Sequence, residues 1–333
     1  MKKQILLERF RSDKTHSLPI LTFPAVQIMG ISVRELVESA PNQAKAMVLL
    51  SERYPMFCAL SMMDLSVEAE AFGSPIKYYD MDIPTVTGAI IHTLEDSDRL
   101  RVPSVSEHRT QTYVEGVKLA KMQLPNQPLL AGVIGPFSLA GRLMDMTEIM
   151  VNCFIEPEWV HKTLRKATQF IIDYILAFKA AGADGIIMAE PAAGLLSPDT
   201  CAEFSCAYIK EIMDAVASDD FLFIYHNCGN VVPLQEPLIA LDADVYHFGD
   251  HIDLVKMLEV MPQDKIIMGN ISPSTIFRKG TPDMIRTRVK QLLDECGRFP
   301  NFVISSGCDI PPETPLENID AFFEAVSSYN RKP

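Results

Sequence analysis

The chain has 333 residues, 48% of them hydrophobic and 22% charged, with a formal net charge of -13. That composition is too apolar for a disordered chain and ample for a large core. The acidic balance argues against a nucleic-acid binder, which carries a basic patch.

The opening MKKQILLERFRSDK is charged throughout and lacks the long apolar centre of a signal peptide. No uninterrupted apolar run approaches the ~20 residues of a membrane span. A cytoplasmic location is therefore expected. Seven cysteines, an odd count, argue against a disulfide framework. Cys58, Cys153, Cys201, Cys206 and Cys296 read as small buried hydrophobes.

Taken in order, short apolar runs alternate with amphipathic stretches. The runs are LPILTFPA (18–25), FCALSM (57–62), PLLAGVIGPF (128–137), ADGIIMAEP (183–191), FLFIYHNC (221–228), ADVYHFGD (243–250), KIIMGNISP (265–273) and NFVISSGCD (301–309). Near-continuous apolar strands suit a parallel sheet covered on both faces. Residues 156–182 read as a long amphipathic helix stopped by Gly182. Residues 281–297 read as a second helix, with Thr281 as cap and Pro282 in the first turn. Eight strand–helix repeats spell an α/β fold, a (β/α)8 TIM barrel, as one domain over residues 1–333. An open doubly wound sheet is the alternative. The segment 63–127 is longer than one helix needs and is expected to form an excursion over the barrel mouth.

The barrel is favoured by where chemistry-bearing residues fall. Glu190, His226, Asn227, Cys228, His247, Asn270, Cys308 and Asp309 all lie at the ends of runs. A barrel gathers such strand ends on one face. His226 and Cys228 stand at i and i+2, so on a strand they point the same way. Cys308 can reach them from another strand end. Three soft ligands with one open position describe a catalytic zinc rather than a structural one. Glu190 is the candidate for a weak fourth ligand. His247 and His251 are read as polar loop residues after the sixth run.

Such a zinc either activates water or keeps a substrate thiol ionised. Two thiolate ligands lower its Lewis acidity and favour the thiol. No Gly-x-Ser-x-Gly elbow competes with this reading, and no GxGxxG follows a strand.

The segments DLSVEAEAFG (64–73), GVIGPFSLAGRLMD (132–145), GADGIIMAEPAAGLLSP (182–198), HNCGN (226–230), MGNISP (268–273) and SSGCDIPPETPLENI (305–319) carry a resemblance. The chain resembles the uroporphyrinogen decarboxylase superfamily over nearly its whole length. Within it, the His-x-Cys and late Cys resemble the zinc-dependent corrinoid-protein methyltransferases. That resemblance implies zinc held by His226, Cys228 and Cys308. It also implies a methylcorrinoid donor on a small partner protein, and a thiol acceptor such as coenzyme M. Homocysteine or tetrahydrofolate as acceptor stays open, as does the pathway's methyl source: methanol, methylamine, betaine or an aromatic ether. Glu190 would occupy the open position at rest, Asp309 would orient a ligand, and Asn270 would contact substrate. The decarboxylases carry an Arg-rich stretch for the porphyrin carboxylates. Residues 20–32 here contain no Arg, so porphyrinogen decarboxylation is not expected.

Overall fold

The computed structural model describes residues 2–13 and 16–330. The described residues form nine strands: β1 (Ala59–Leu60), β2 (Ile76–Lys77), β3 (Thr85–Val86), β4 (Leu129–Ile134), β5 (Gly185–Ala189), β6 (Leu222–Asn227), β7 (Val245–Phe248), β8 (Ile266–Ile271) and β9 (Phe302–Ser306). Seven of them form one parallel sheet in the order β1-β4-β5-β6-β7-β8-β9, and β2 and β3 pair antiparallel by themselves. The sheet is α/β in type, with helices between successive strands.

The expected eighth strand, from the run 18–25, is not part of the ladder. Ser17 bridges Met56, and the Phe57 N–H donates to Ser17 O at 3.1 Å. On the other side, Leu18 N–H donates to Ile304 O at 3.3 Å. The segment thus touches both edges of the seven-stranded sheet. Pro19 has no N–H to offer, and the Ile20 N–H goes to the Ser306 hydroxyl at 3.0 Å instead of to a backbone carbonyl. Regular pairing therefore stops after one residue on each side.

Strand alternation sorts side chains into two apolar clusters. One holds Leu130, Ile187, Ala189, Leu222, Ile224, Val245, Ile266, Met268 and Val303, the inner set of consecutive strands. The other takes their neighbours, among them Ile186, Phe223, Tyr225, Tyr246 and Ile304, and packs them against helix residues such as Phe170, Tyr174 and Phe178. The inner cluster also receives Leu6, Leu7 and Phe10 from the helix Lys3–Ser12. That helix is tied to the chain just before three strands: Lys3 N–H to Asp219 O at 2.9 Å, Lys3 Nζ to Asp244 at 2.9 Å, and Arg11 to Asp264 O. It covers the N-terminal end of the sheet. The opposite end, where the strands finish, stays accessible.

The segment 63–127 has structure of its own. It contains helix Val67–Ala71, the β2–β3 hairpin, helix Leu94–Arg99 and helix Arg109–Gln123. A buried polar knot holds it. Arg109 pairs with Asp64 and Glu70, and the Tyr113 hydroxyl donates to Asp64 at 2.9 Å.

Candidate metal centre

Alternation along β6 places Leu222, Ile224 and His226 on the inner face, with the polar residue at the C-terminal end. Register carries the pattern across the sheet. His226 lies opposite Ala189 on β5 and opposite His247 on β7. Cys228 follows β6 directly, and Cys308 follows β9 by two residues. The side-chain ligand atoms of His226, Cys228 and Cys308 all lie within 4.8 Å of one another. The Cys308 Sγ is 3.5 Å from His226 Nε2.

Two glycines make this approach possible. A Cβ on Gly249 would stand 2.5 Å from the Cys228 Cα and 2.7 Å from its carbonyl oxygen. A Cβ on Gly307 would stand 2.8 Å from the Asp250 nitrogen. Both contacts involve backbone, so neither neighbour can swing aside.

His247 is not a loop residue. It is buried on β7, with its Nδ1 2.8 Å from His226 Nδ1 and its Nε2 2.7 Å from the Ser305 hydroxyl. Proton counting settles the direction of this chain. The Ser305 hydroxyl donates its single proton to Leu18 O at 2.7 Å, so it accepts from His247 Nε2–H. Burial holds His247 neutral, well below the ordinary imidazole range. Its Nδ1 is then an acceptor, and His226 Nδ1 must carry the proton. That proton is shared with His247 O at 3.2 Å. His226 therefore turns Nε2 to the two thiols, the atom through which an imidazole so held binds a metal.

The thiols are polarised in opposite senses. The hydrogen bond from Cys308 pulls the Cys228 thiol down from the ordinary thiol range, with His226 adding to the effect against the cost of burial. The same interaction, with burial, pushes Cys308 well up. One proton is shared by the sulfur pair. One nitrogen and two sulfur donors, all on one side of a cavity, fit a zinc ion by donor chemistry.

The cavity has a volume of about 490 Å³. Its walls include Met63 and Leu65, the hairpin residues Ile83, Pro84 and Val86, and the polar residues Asp82, Arg142 and Asp309. Asp309 accepts from the Thr22 hydroxyl at 3.2 Å.

Two other expected site residues lie elsewhere. Glu190 is buried, but its carboxylate is turned to the first turn of helix Pro136–Met144. It accepts from Phe137 N–H at 3.0 Å, Ser138 N–H at 2.6 Å and the Ser138 hydroxyl. Those donors occupy both oxygens, and Glu190 is not among the converging ligand atoms. Burial raises it to about 7 against these bonds. Asn270 is also buried away from the cluster, where its amide donates to Gly249 O at 2.9 Å and Ile252 O at 3.1 Å. It pins the turn that carries Gly249. His251 is exposed in that turn.

Sequence comparison decides the family. The model of the uroporphyrinogen decarboxylase (URO-D) family matches residues 2–329. The chain belongs to this family. Among its curated relatives, the methylcobamide:CoM methyltransferase MtbA of Methanosarcina acetivorans is 28% identical over 270 residues, 80% of this chain and 78% of that one. The uroporphyrinogen decarboxylase of Carboxydothermus hydrogenoformans is 24% identical over 276 residues, 80% of this chain and 77% of that one. Among solved structures, a methyltransferase from Methanosarcina mazei superposes with a TM-score of 0.87 at 25% identity, covering 98% of both chains. This URO-D chain therefore has both methyltransferases and decarboxylases among its relatives. Among the described residues no helix is long and apolar enough to cross a membrane.

Proposed function

We propose that the protein is a zinc-dependent methyltransferase that moves a methyl group from a protein-bound methylcorrinoid to a thiol such as coenzyme M. The observation that carries this reading is the convergence of His226, Cys228 and Cys308 within 4.8 Å at the wall of a cavity. These three residues would hold the metal and leave one position open to the cavity. Zinc bound there would supply a positive charge that keeps an incoming thiol ionised at neutral pH, where a free thiol of pKa ~8.5 is mostly protonated.

The chain's own residues do the rest. The His247–Ser305 pair holds His226 in the tautomer that offers Nε2. Met63, Leu65, Ile83, Pro84 and Val86 wall the site with apolar surface, which excludes competing water. The accessible cavity mouth is where a small corrinoid protein would present its methyl group. In the net reaction a sulfur–methyl bond forms as the cobalt–methyl bond breaks, and the electron pair of the broken bond stays on cobalt as Co(I).

The relatedness to MtbA and the likeness to a Methanosarcina methyltransferase structure support the same reading. The decarboxylase reading lacks cations: Arg142 is the sole Lys or Arg among the residues lining the cavity. A tetrapyrrole with many carboxylates would find few partners there.

The test is metal analysis joined to an activity assay. Purified protein is expected to carry about one zinc per chain, lost in Cys308→Ala. Methylcobalamin should be demethylated only when a thiol is added. Coenzyme M, homocysteine and tetrahydrofolate, compared side by side, identify the acceptor. Zinc-free protein that releases CO₂ from a porphyrinogen would sink the proposal.

A further inference from the structure

Cys228 follows β6 by one residue and belongs to no strand or helix, so strand pairing does not hold it beside His226. The residue before it supplies what pairing does not. Asn227 is fully buried on the face of β6 opposite His226, together with Tyr225. Its amide nitrogen donates to Glu190 O at 2.8 Å and to the Tyr225 hydroxyl at 3.0 Å, and its amide oxygen accepts from Gly229 N–H at 2.8 Å. A backbone carbonyl can only accept and a backbone N–H can only donate, so the amide fits one way round. The bond to Gly229 makes an Asx turn, in which a side chain closes on the backbone two residues on. Cys228 is the residue that the turn encloses. The Asn227 backbone carbonyl in addition accepts from Gly249 N–H at 3.1 Å. One residue thus ties Cys228 to the chain at the ends of β5 and β7 as well as to its own strand.

The surroundings leave this turn little freedom. A Cβ on Gly229 would stand 3.1 Å from Asn227 Oδ1 and 3.2 Å from Pro191 O, and one on Gly194 would stand 2.9 Å from the Gly229 Cα. The turns after β5 and β6 therefore meet backbone to backbone, with the Asn227 amide at their contact. Pro191, next to the bonded Glu190 carbonyl, lines the same cavity as Cys228. The cavity wall and the sulfur are held by one side chain that touches neither the cavity nor the other ligands.

We infer that Asn227 is a positioning residue for the metal site: it fixes the Cys228 backbone in the metal-free protein, so that the sulfur is aimed before an ion arrives. This rests on the zinc reading proposed above and adds to it a residue outside the donor set. The amide is suited to the place because it combines a donor and an acceptor on one short side chain. Asp keeps the acceptor for Gly229 but turns an oxygen toward the Glu190 carbonyl. Ala leaves both backbone groups without their partner. A ligand ordered in advance spares the metal the cost of ordering it.

The experiment uses the full chain loaded with zinc, and separately with cobalt, whose sulfur-to-metal charge-transfer absorption grows with the number of bound thiolates. Asn227→Ala is expected to lose one sulfur's share of that absorption and to bind zinc about 10- to 100-fold more weakly, the range typical when a residue that orients a ligand is lost. Asn227→Asp, which keeps the Asx turn, should retain the absorption of both sulfurs while unfolding at a lower temperature. Asn318→Ala serves as the control. Asn318 is a buried amide that pins Phe277 O and Gly280 O at 2.8 and 2.9 Å, away from the cavity wall, so its loss should lower stability and leave the cobalt spectrum intact. Hydrogen exchange of metal-free wild-type protein needs no variant and decides the matter if Asn227→Ala does not fold: the Gly229 amide should be protected. A freely exchanging Gly229 amide, an Asn227→Ala protein with the full cobalt spectrum and wild-type zinc affinity, or the same spectral loss in Asn318→Ala would each overturn the inference and leave the zinc reading standing. Wild-type protein that binds neither zinc nor cobalt would sink the zinc reading, and this inference with it.

Discussion

His247 Nδ1 accepts a hydrogen bond from His226 Nδ1 across 2.8 Å, so one buried imidazole fixes the proton position of the other. The chain ends at Ser305 and the Leu18 carbonyl, outside the donor cluster. Partners of this kind orient a metal-binding histidine, and their loss typically costs 10- to 100-fold in metal affinity. His247→Phe, which keeps a planar ring but removes both nitrogens, is expected to weaken zinc binding by about that factor. Ser305→Ala should have a smaller effect in the same direction, because it frees the His247 proton to move. Competition against a chelating dye measures both. Unchanged zinc affinity in His247→Phe would remove the relay from the account.

Gly249 provides a purely steric prediction. Its missing Cβ leaves room for the Cys228 backbone at 2.5–2.9 Å. Gly249→Ala must displace one of the two segments, at a cost of about 1–3 kcal/mol. Zinc content should fall with it, since Cys228 moves relative to His226. Thermal unfolding and metal analysis on the same sample check the two effects together. A stable variant with full zinc would show that the turn relaxes without moving the cysteine.

The metal-free cysteines should react in a set order. Cys228 is pulled down by its hydrogen bond from Cys308, so at a given pH it holds more thiolate than a cysteine whose thiol burial pushes up. Cys308 and the buried Cys58, Cys153 and Cys296 are all pushed up. Iodoacetamide at pH 6 is expected to modify Cys228 first, and bound zinc should protect it. Peptide mass spectrometry gives the order directly; prior labelling of any other cysteine would contradict the assignment.

Glu68 sets a pH dependence of stability. Burial raises it to about 7, and only one of its oxygens, Oε1, has a donor, the Ile134 N–H at 2.9 Å. Its unfolded value is 4.5. Between those values the folded state holds a proton that the unfolded state has released, so stability falls as pH rises from about 4.5 to about 7 and then levels. The full effect is about 3 kcal/mol. Glu68→Gln stays neutral and should flatten this slope, with its largest gain over wild type above pH 7. Urea unfolding at several pH values measures it, and an identical slope in the variant would refute the assignment.

Much of this architecture is visible in the residues. The runs at 128–137, 183–191, 221–228, 243–250, 265–273 and 301–309 each contain a strand of the sheet, because fully buried parallel strands leave an unbroken apolar signature. The run 18–25 has that signature too, but Pro19 interrupts its pairing, and hydrophobicity does not report a missing N–H. His226, Cys228 and Cys308 were legible through spacing and position at strand ends. His247 was not, since its partner is set by the β6–β7 register, which no local pattern encodes. Glu190 stands at a strand end as the others do. Its direction depends on the N–H groups of Phe137 and Ser138 fifty residues earlier, and sequence position alone does not give direction. The helix Lys3–Ser12 hid its role for a similar reason: Leu6, Leu7 and Phe10 are ordinary amphipathic residues until the sheet end they cover exists.

His226 and Cys228 close β6, whereas Cys308 follows β9, with β7 and β8 between them in the sheet. Domains generally form from the N-terminal side during synthesis. A growing chain therefore displays two donors well before the third exists. An ion captured at that stage would be held loosely and could leave. Only arrival of the last strand brings the third donor to the other two, so under the proposed function a firmly retained metal would certify that the curl of the sheet has been drawn up to its final edge.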